Sequence, residues 1–257
     1  MAADSVLYGP VSSWRLGRSL GVDLLSVQGK TCSFDCIYCQ LGRTTHSLAE
    51  RREFVTDARL AEELESAKGI VADYLTFSGT GEPTLAINLG RAITMAKSVL
   101  HLPVAVLTNS SLMPRDDVRD ELAEADVVVA KVDAPNGELF HRINRPVVGY
   151  SLDEILQAIR LFKEKFRGRL AIQMMFVEAN RGYAREMAEV ARQLSPDEVQ
   201  INTPLRPCSV KPLMPKEIFA IRDEFTGLGK VVTVYEASRP EVMPLNLEET
   251  LRRRPRL

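Results

Sequence analysis

A pattern of strand, turn and helix repeats along this chain, and it limits the fold more than any other feature. The apolar runs YLTFSG (74–79), VAVLTNS (104–110), DVVVAKVD (126–133), LAIQMMFV (170–177) and EVQINTP (198–204) are short and rich in β-branched residues. GVDLLSV (21–27) precedes them, and VVTVYEA (231–237) offers one more. Amphipathic segments alternate with the runs at 56–68, 86–100, 115–124, 151–166, 182–194 and 215–227. In SLDEILQAIRLFKEKF, Leu152, Ile155, Leu156, Ile159 and Phe162 recur at helical spacing, and Ser151 with Glu154 makes a capping box. Most of the runs are apolar on both faces, as suits a parallel sheet covered by helices. Strand then helix, repeated about six times, predicts an α/β fold, either an open doubly wound sheet or a full or partial barrel. Nothing marks a domain boundary, so the whole chain reads as one domain.

In βα folds the active site lies at the C-terminal ends of the strands. Here those ends carry conspicuous groups: Cys32 to Cys39 after the first run, GTGEP (79–83) after the second and Thr108-Asn109 at the third. Lys131 and Asp133 follow at the fourth, and Asn202 with Thr203 at the sixth. They are expected to converge on one site. The formal net charge of −1 gives no whole-molecule field for a polyanion. The basic run RRRPR (252–256) reads as a solvated, frayed end. No stretch approaches the ~20 apolar residues that cross a bilayer, and MAADSVLYGPVSS has neither a basic n-region nor an apolar h-region. Four cysteines do not make a disulfide framework, so a reducing cytoplasm is the expected setting.

Three of those cysteines, Cys32, Cys36 and Cys39, crowd into KTCSFDCIYCQ (30–40), while Cys208 stands far away in LRPCSVKP. Gly29, Thr31, Ser33 and Asp35 make a poor helix around them, so the stretch reads as a metal-binding loop. Structural zinc takes four ligands in two pairs, and Cys208 or His46 would have to complete the set. A cubane iron–sulfur cluster held by three thiolates leaves one iron without a protein ligand, a vacancy an enzyme can use.

CSFDCIYC, with Tyr38 before the last cysteine, resembles the cluster motif of the radical S-adenosylmethionine (SAM) superfamily. FSGTGEPTL stands in the place of that family's glycine-rich GGEP-like motif, with Thr80 where a glycine is usual. LTNSSL resembles its TNG-type strand end, with Ser110 in place of glycine. YGPVSSWRLGRSLGVDLL, KVDAPNGELFHRINRP and VQINTPLRP are similar to the branch containing wyosine-type tRNA-modifying enzymes and short iron–sulfur oxidoreductases.

The resemblance implies a partial (β/α)6 TIM-like barrel over about 20–234, with extensions 1–19 and 235–257 packing on it. It implies that Cys32, Cys36 and Cys39 ligate a 4Fe–4S cluster whose fourth iron takes SAM. One electron from a flavodoxin- or ferredoxin-like donor would then yield a 5′-deoxyadenosyl radical that abstracts hydrogen from substrate, a tRNA or a partner protein. Gly79, Gly81 and Glu82 would meet the methionine end of SAM, Tyr38 the adenine, and Asn109, Asp133 and Asn202 the ribose or methionine. Trp14, Arg15 and Arg18 are candidates to cap the barrel mouth, and His141 and Arg142 to contact substrate. The rival from another class is a non-catalytic zinc- or cluster-binding module.

Overall fold

A computed structural model of the chain describes residues 5–237 and 240–255; Arg256 and the first four residues lie outside this range. Eight strands form one sheet. β1 (Leu7–Ser13) and β2 (Gly17–Val22) are an antiparallel hairpin. A two-residue bridge follows between β3 (Thr31–Cys32) and β4 (His46–Ser47). Then come β5 (Tyr74–Phe77), β6 (Val104–Thr108), β7 (Val127–Lys131), β8 (Arg169–Met175), β9 (Glu198–Asn202) and β10 (Lys230–Thr233). The sheet runs β1-β2-β5-β6-β7-β8-β9-β10, and every pair after the hairpin is parallel. β1 and β10 are its edges, so the expected partial barrel is what forms, open between them.

The helices lie between strands, as right-handed crossover connections require. They are α1 (Asp57–Ser66), α2 (Leu89–Leu100), α3 (Asp116–Leu122), α4 (Gly137–Asn144), α5 (Leu152–Lys165), α6 (Ala184–Leu194), α7 (Pro215–Asp223) and, after the last strand, α8 (Leu247–Arg253). The α5 capping box is present as expected. Alternate strand residues face opposite ways, so the sheet makes two cores. Its outer face packs on the helices. A small inner cluster of Ala105, Val127, Val129 and Ala171 is closed by Leu16 from the β1–β2 turn. That turn joins the N-terminal end of β2, so Trp14 and Arg15, which line the central cavity, form its floor rather than its mouth. Arg18 does not reach the cavity: its guanidinium pairs with Asp73 at 2.6 Å, just before β5.

Three elements depart from the sequence reading. β2 starts four residues earlier than 21–27 and ends at Val22, because the Asp23 carboxylate accepts from the Leu25 and Ser26 amides and turns the chain. α4 occupies a stretch that reads as a loop: Asn136-Gly137 looks like a turn, yet the Asn136 side chain caps the helix by accepting from the Leu139 amide at 3.0 Å. The described part of the C-terminal run, residues 252–255, packs on the fold instead of standing in solvent. Arg253 at the end of α8 is fully buried, its Nε 2.8 Å from Asp23 Oδ2. No helix among the described residues is long and apolar enough to cross a membrane.

Candidate active site

The cysteine loop leaves β3 and is fastened on two sides. On one, the Thr31 amide donates to Thr80 O and the Glu82 amide to Thr31 O, which zips the loop to GTGEP. This contact explains Gly81. A Cβ there would stand 1.5 Å from the Thr31 carbonyl oxygen, and one at Gly79 would stand 2.2 Å from the Asp23 carboxylate carbon. The glycines are expected from sequence to admit a ligand; their nearest neighbours are parts of the chain itself. Gly81→Ala should therefore lower stability by about 3 kcal/mol, read by thermal unfolding, and reduce iron uptake with it.

On the other side, α4 offers its unpaired C-terminal carbonyls. Ile143 O accepts from the Ile37 amide at 3.0 Å, and Asn144 O from the Asp35 amide at 3.0 Å. A helix absent from the sequence reading thus holds the loop that the sequence makes most obvious.

One cavity of about 260 Å³ collects Cys32, Cys36, Tyr38 and Cys39 with Gly79, Gly81, Glu82, Asn109 and Asn202. Asp133 is the exception. It is 3% exposed, and its carboxylate accepts from the Tyr38 hydroxyl, from Asn144 Nδ2 at 2.8 Å and from the Met175 amide at 2.9 Å, with Lys131 Nζ at 3.7 Å. Those contacts make it an anchor under Tyr38. Lys131 also sits 4.7 Å from the centre of the Tyr38 ring. Glu82 is fixed in the same way: its carboxylate accepts from the Thr84 amide and hydroxyl, the Thr108 hydroxyl and the Asn109 amide. Burial nevertheless holds the Glu82 carboxyl above its ordinary range.

Two of the three thiols accept from side-chain amides. Asn109 Nδ2 donates to Cys32 Sγ at 3.5 Å and Asn144 Nδ2 to Cys36 Sγ at 3.4 Å. Lys30 lines the same cavity as all three thiols. Burial pushes the Cys32 thiol up to about 12, and raises Cys36 with help from the Asp133 charge. Such thiols keep their protons until a metal displaces them. Neutral thiols need no array of N–H donors; metal-bound thiolates do.

The fourth-ligand candidates are elsewhere. The Cys208 thiol donates to Val210 O at 3.1 Å and lines an outer hollow behind Cys36 and Cys39, while His46 is exposed. Among the described residues, no three His, Cys, Asp or Glu side chains are grouped to hold a single metal ion. His141 and Arg142 are exposed on α4 and do not line the cavity. Sequence reasoning misses Lys30, whose burial no local pattern reveals. It also misses Arg254, which reaches from beyond α8 to Ser78 Oγ at 3.2 Å on the cavity wall.

The profile of the radical SAM superfamily matches residues 27–192. The chain belongs to this superfamily. It is therefore a radical SAM enzyme, and its family implies an iron–sulfur centre, SAM and a reductant. It is 38% identical over 241 residues to the UPF0026 protein MJ1312 of Methanocaldococcus jannaschii, covering 88% of this chain and 74% of that one. To the UPF0026 protein slr1464 of Synechocystis it is 40% identical over 208 residues, covering 80% and 77%. Among solved structures, SuiB of Streptococcus suis bound to S-adenosylmethionine shares the fold, with a TM-score of 0.65 and 14% identity. That match covers 85% of this chain but only 50% of SuiB. TYW1 with a lysine-pyruvate adduct bound gives a TM-score of 0.61 at 18% identity, covering 82% and 74%. The curled sheet of these radical SAM proteins is the one described above.

Proposed function

We propose that Cys32, Cys36 and Cys39 hold a 4Fe–4S cluster with one iron left for SAM, and that the cavity is where a substrate hydrogen is abstracted. The observation that carries this is the set of side-chain amides on the thiols: Asn109 on Cys32 and Asn144 on Cys36, with Cys39 in the same cavity. When bound, cluster and SAM supply the 5′-deoxyadenosyl radical; the protein orients them and excludes competing reactions.

The remaining roles belong to the chain. Gly79, Gly81 and Glu82 present the loop to the methionine end, and Asn109 and Asn202 offer amides to the methionine or ribose. Tyr38 lies against the adenine, with Asp133 and Asn144 fixing its hydroxyl. Residues 1–257 act as one domain in a reducing cytoplasm; the expected N-terminal extension 1–19 instead supplies the edge strand β1 and the start of β2, and α8 packs against β1. The electron comes from a flavodoxin- or ferredoxin-like protein. The substrate is a tRNA or a partner protein.

Anaerobic reconstitution followed by metal analysis tests the cluster. The expected result is about four irons with matching sulfide and a brown colour. Zinc at one per chain, colourless and without iron, would favour the non-catalytic module.

A further inference from the structure

Lys30 has no role in the chemistry above, yet its position is tightly defined. Its carbonyl accepts from the Thr45 amide at 3.1 Å and the His46 amide at 3.0 Å, which fixes the backbone just before β3. Its side chain is 3% exposed, lines the cavity and carries an ammonium with no hydrogen-bond partner. The nearest carboxylate oxygen, on Asp35, is 4.0 Å away. Asp35 does not cancel that charge alone with Lys30: it also accepts from the Thr44 amide at 2.7 Å and faces Arg43 and Arg145 at 3.7 and 3.8 Å. A buried cation without such a partner is strongly unfavourable. What it shares the cavity wall with is Cys32, Cys36 and Cys39.

We propose that Lys30 is a fixed counter-charge that raises the reduction potential of the cluster on those thiolates. The proposal rests on the cluster reading above. The potential of such a centre depends on net charge, hydrogen bonds to sulfur and exposure. Three thiolates around a 4Fe–4S core in its oxidised state leave the unit negative, and the electron taken from a flavodoxin- or ferredoxin-like donor makes it more so. A positive charge on a buried side chain favours the more negative state. Lys30 is thus a positioning residue for charge, acting through the cluster.

The test is a redox titration of the reconstituted protein without SAM, followed by electron paramagnetic resonance, for the wild type, Lys30→Met and Lys30→Arg. Lys30→Met is expected to lower the midpoint by at least a tenfold change in the reduced-to-oxidised ratio, 59 mV for one electron. Lys30→Arg is expected to stay with the wild type. Equal midpoints for Lys30→Met and wild type would overturn the proposal. Loss of iron in Lys30→Met but not in Lys30→Arg supports the need for the charge; loss in both overturns it, since shape would then be what matters. A wild type that takes up no iron and sulfide would sink the cluster reading itself, which metal analysis of the same sample detects.

Discussion

Replacing Arg253 with alanine is expected to destabilise the fold by about 3–5 kcal/mol, the range for removing one partner of a buried ion pair. Arg253 has no exposed side-chain surface. Its guanidinium donates to Asp23 Oδ2 at 2.8 Å and Ser5 O at 2.6 Å, meets Glu249, and lies 5.1 Å from the centre of the Tyr8 ring. Asp23 in turn accepts from the Thr80 amide at 3.1 Å and hydroxyl at 3.0 Å. One charge pair therefore joins α8 to the GTGEP loop. The neighbouring carbonyls extend the tie: Arg253 O accepts from Gln40 Nε2 at 3.1 Å, and Pro255 O from Arg206 Nε at 3.0 Å. Urea unfolding of Arg253→Ala, Asp23→Ala and the double variant would show the coupling, with the double losing clearly less than the sum of the singles. A loss below about 1 kcal/mol in Arg253→Ala would contradict a structural tie and return the segment to an ordinary surface role.

The second large effect concerns the cysteines. Alanine at Cys32, Cys36 or Cys39 should each abolish stable cluster binding, seen as loss of iron, sulfide and brown colour after reconstitution. Cys208→Ala should retain all three. Cys208 shares an outer hollow with Cys36 and Cys39 but does not line the cavity that holds all three, and its thiol donates to Val210 O. It also has no donor comparable to Asn109 or Asn144. If Cys208→Ala lost the metal like the others, Cys208 would be a fourth ligand, and the vacancy that SAM requires would not exist.

The parallel α/β sheet was legible because its strands are apolar on both faces and its helices repeat a clear period, and the resemblance chose the partial barrel over an open sheet; the parallel order β2-β5-β6-β7-β8-β9-β10 follows the chain. The cysteine, GTGEP and Asn109 motifs were legible because each sits at a strand end. What escaped was decided by distant partners. α4 is short and begins with a turn-like Asn-Gly, and its value lies in carbonyls that reach Asp35 and Ile37 about a hundred residues earlier. Arg253 reads as one of several tail cations until Asp23 is placed beside it. Asp133 illustrates the same limit: composition marks it as a site residue, but only the fold shows that its oxygens are taken by Tyr38, Asn144 and Met175. Lys30 is the converse case, a residue type that is almost always solvated, buried here in the cavity that the three cysteines line.

The most direct measurement of the central claim is anaerobic: load the protein with iron and sulfide, reduce it with dithionite, add SAM, and quantify 5′-deoxyadenosine by mass spectrometry beside a Cys36→Ala control. Formation of 5′-deoxyadenosine by the wild type and not by the control is the result expected of this site. A fully loaded cluster that forms none, with or without added candidate tRNA or protein, would contradict it.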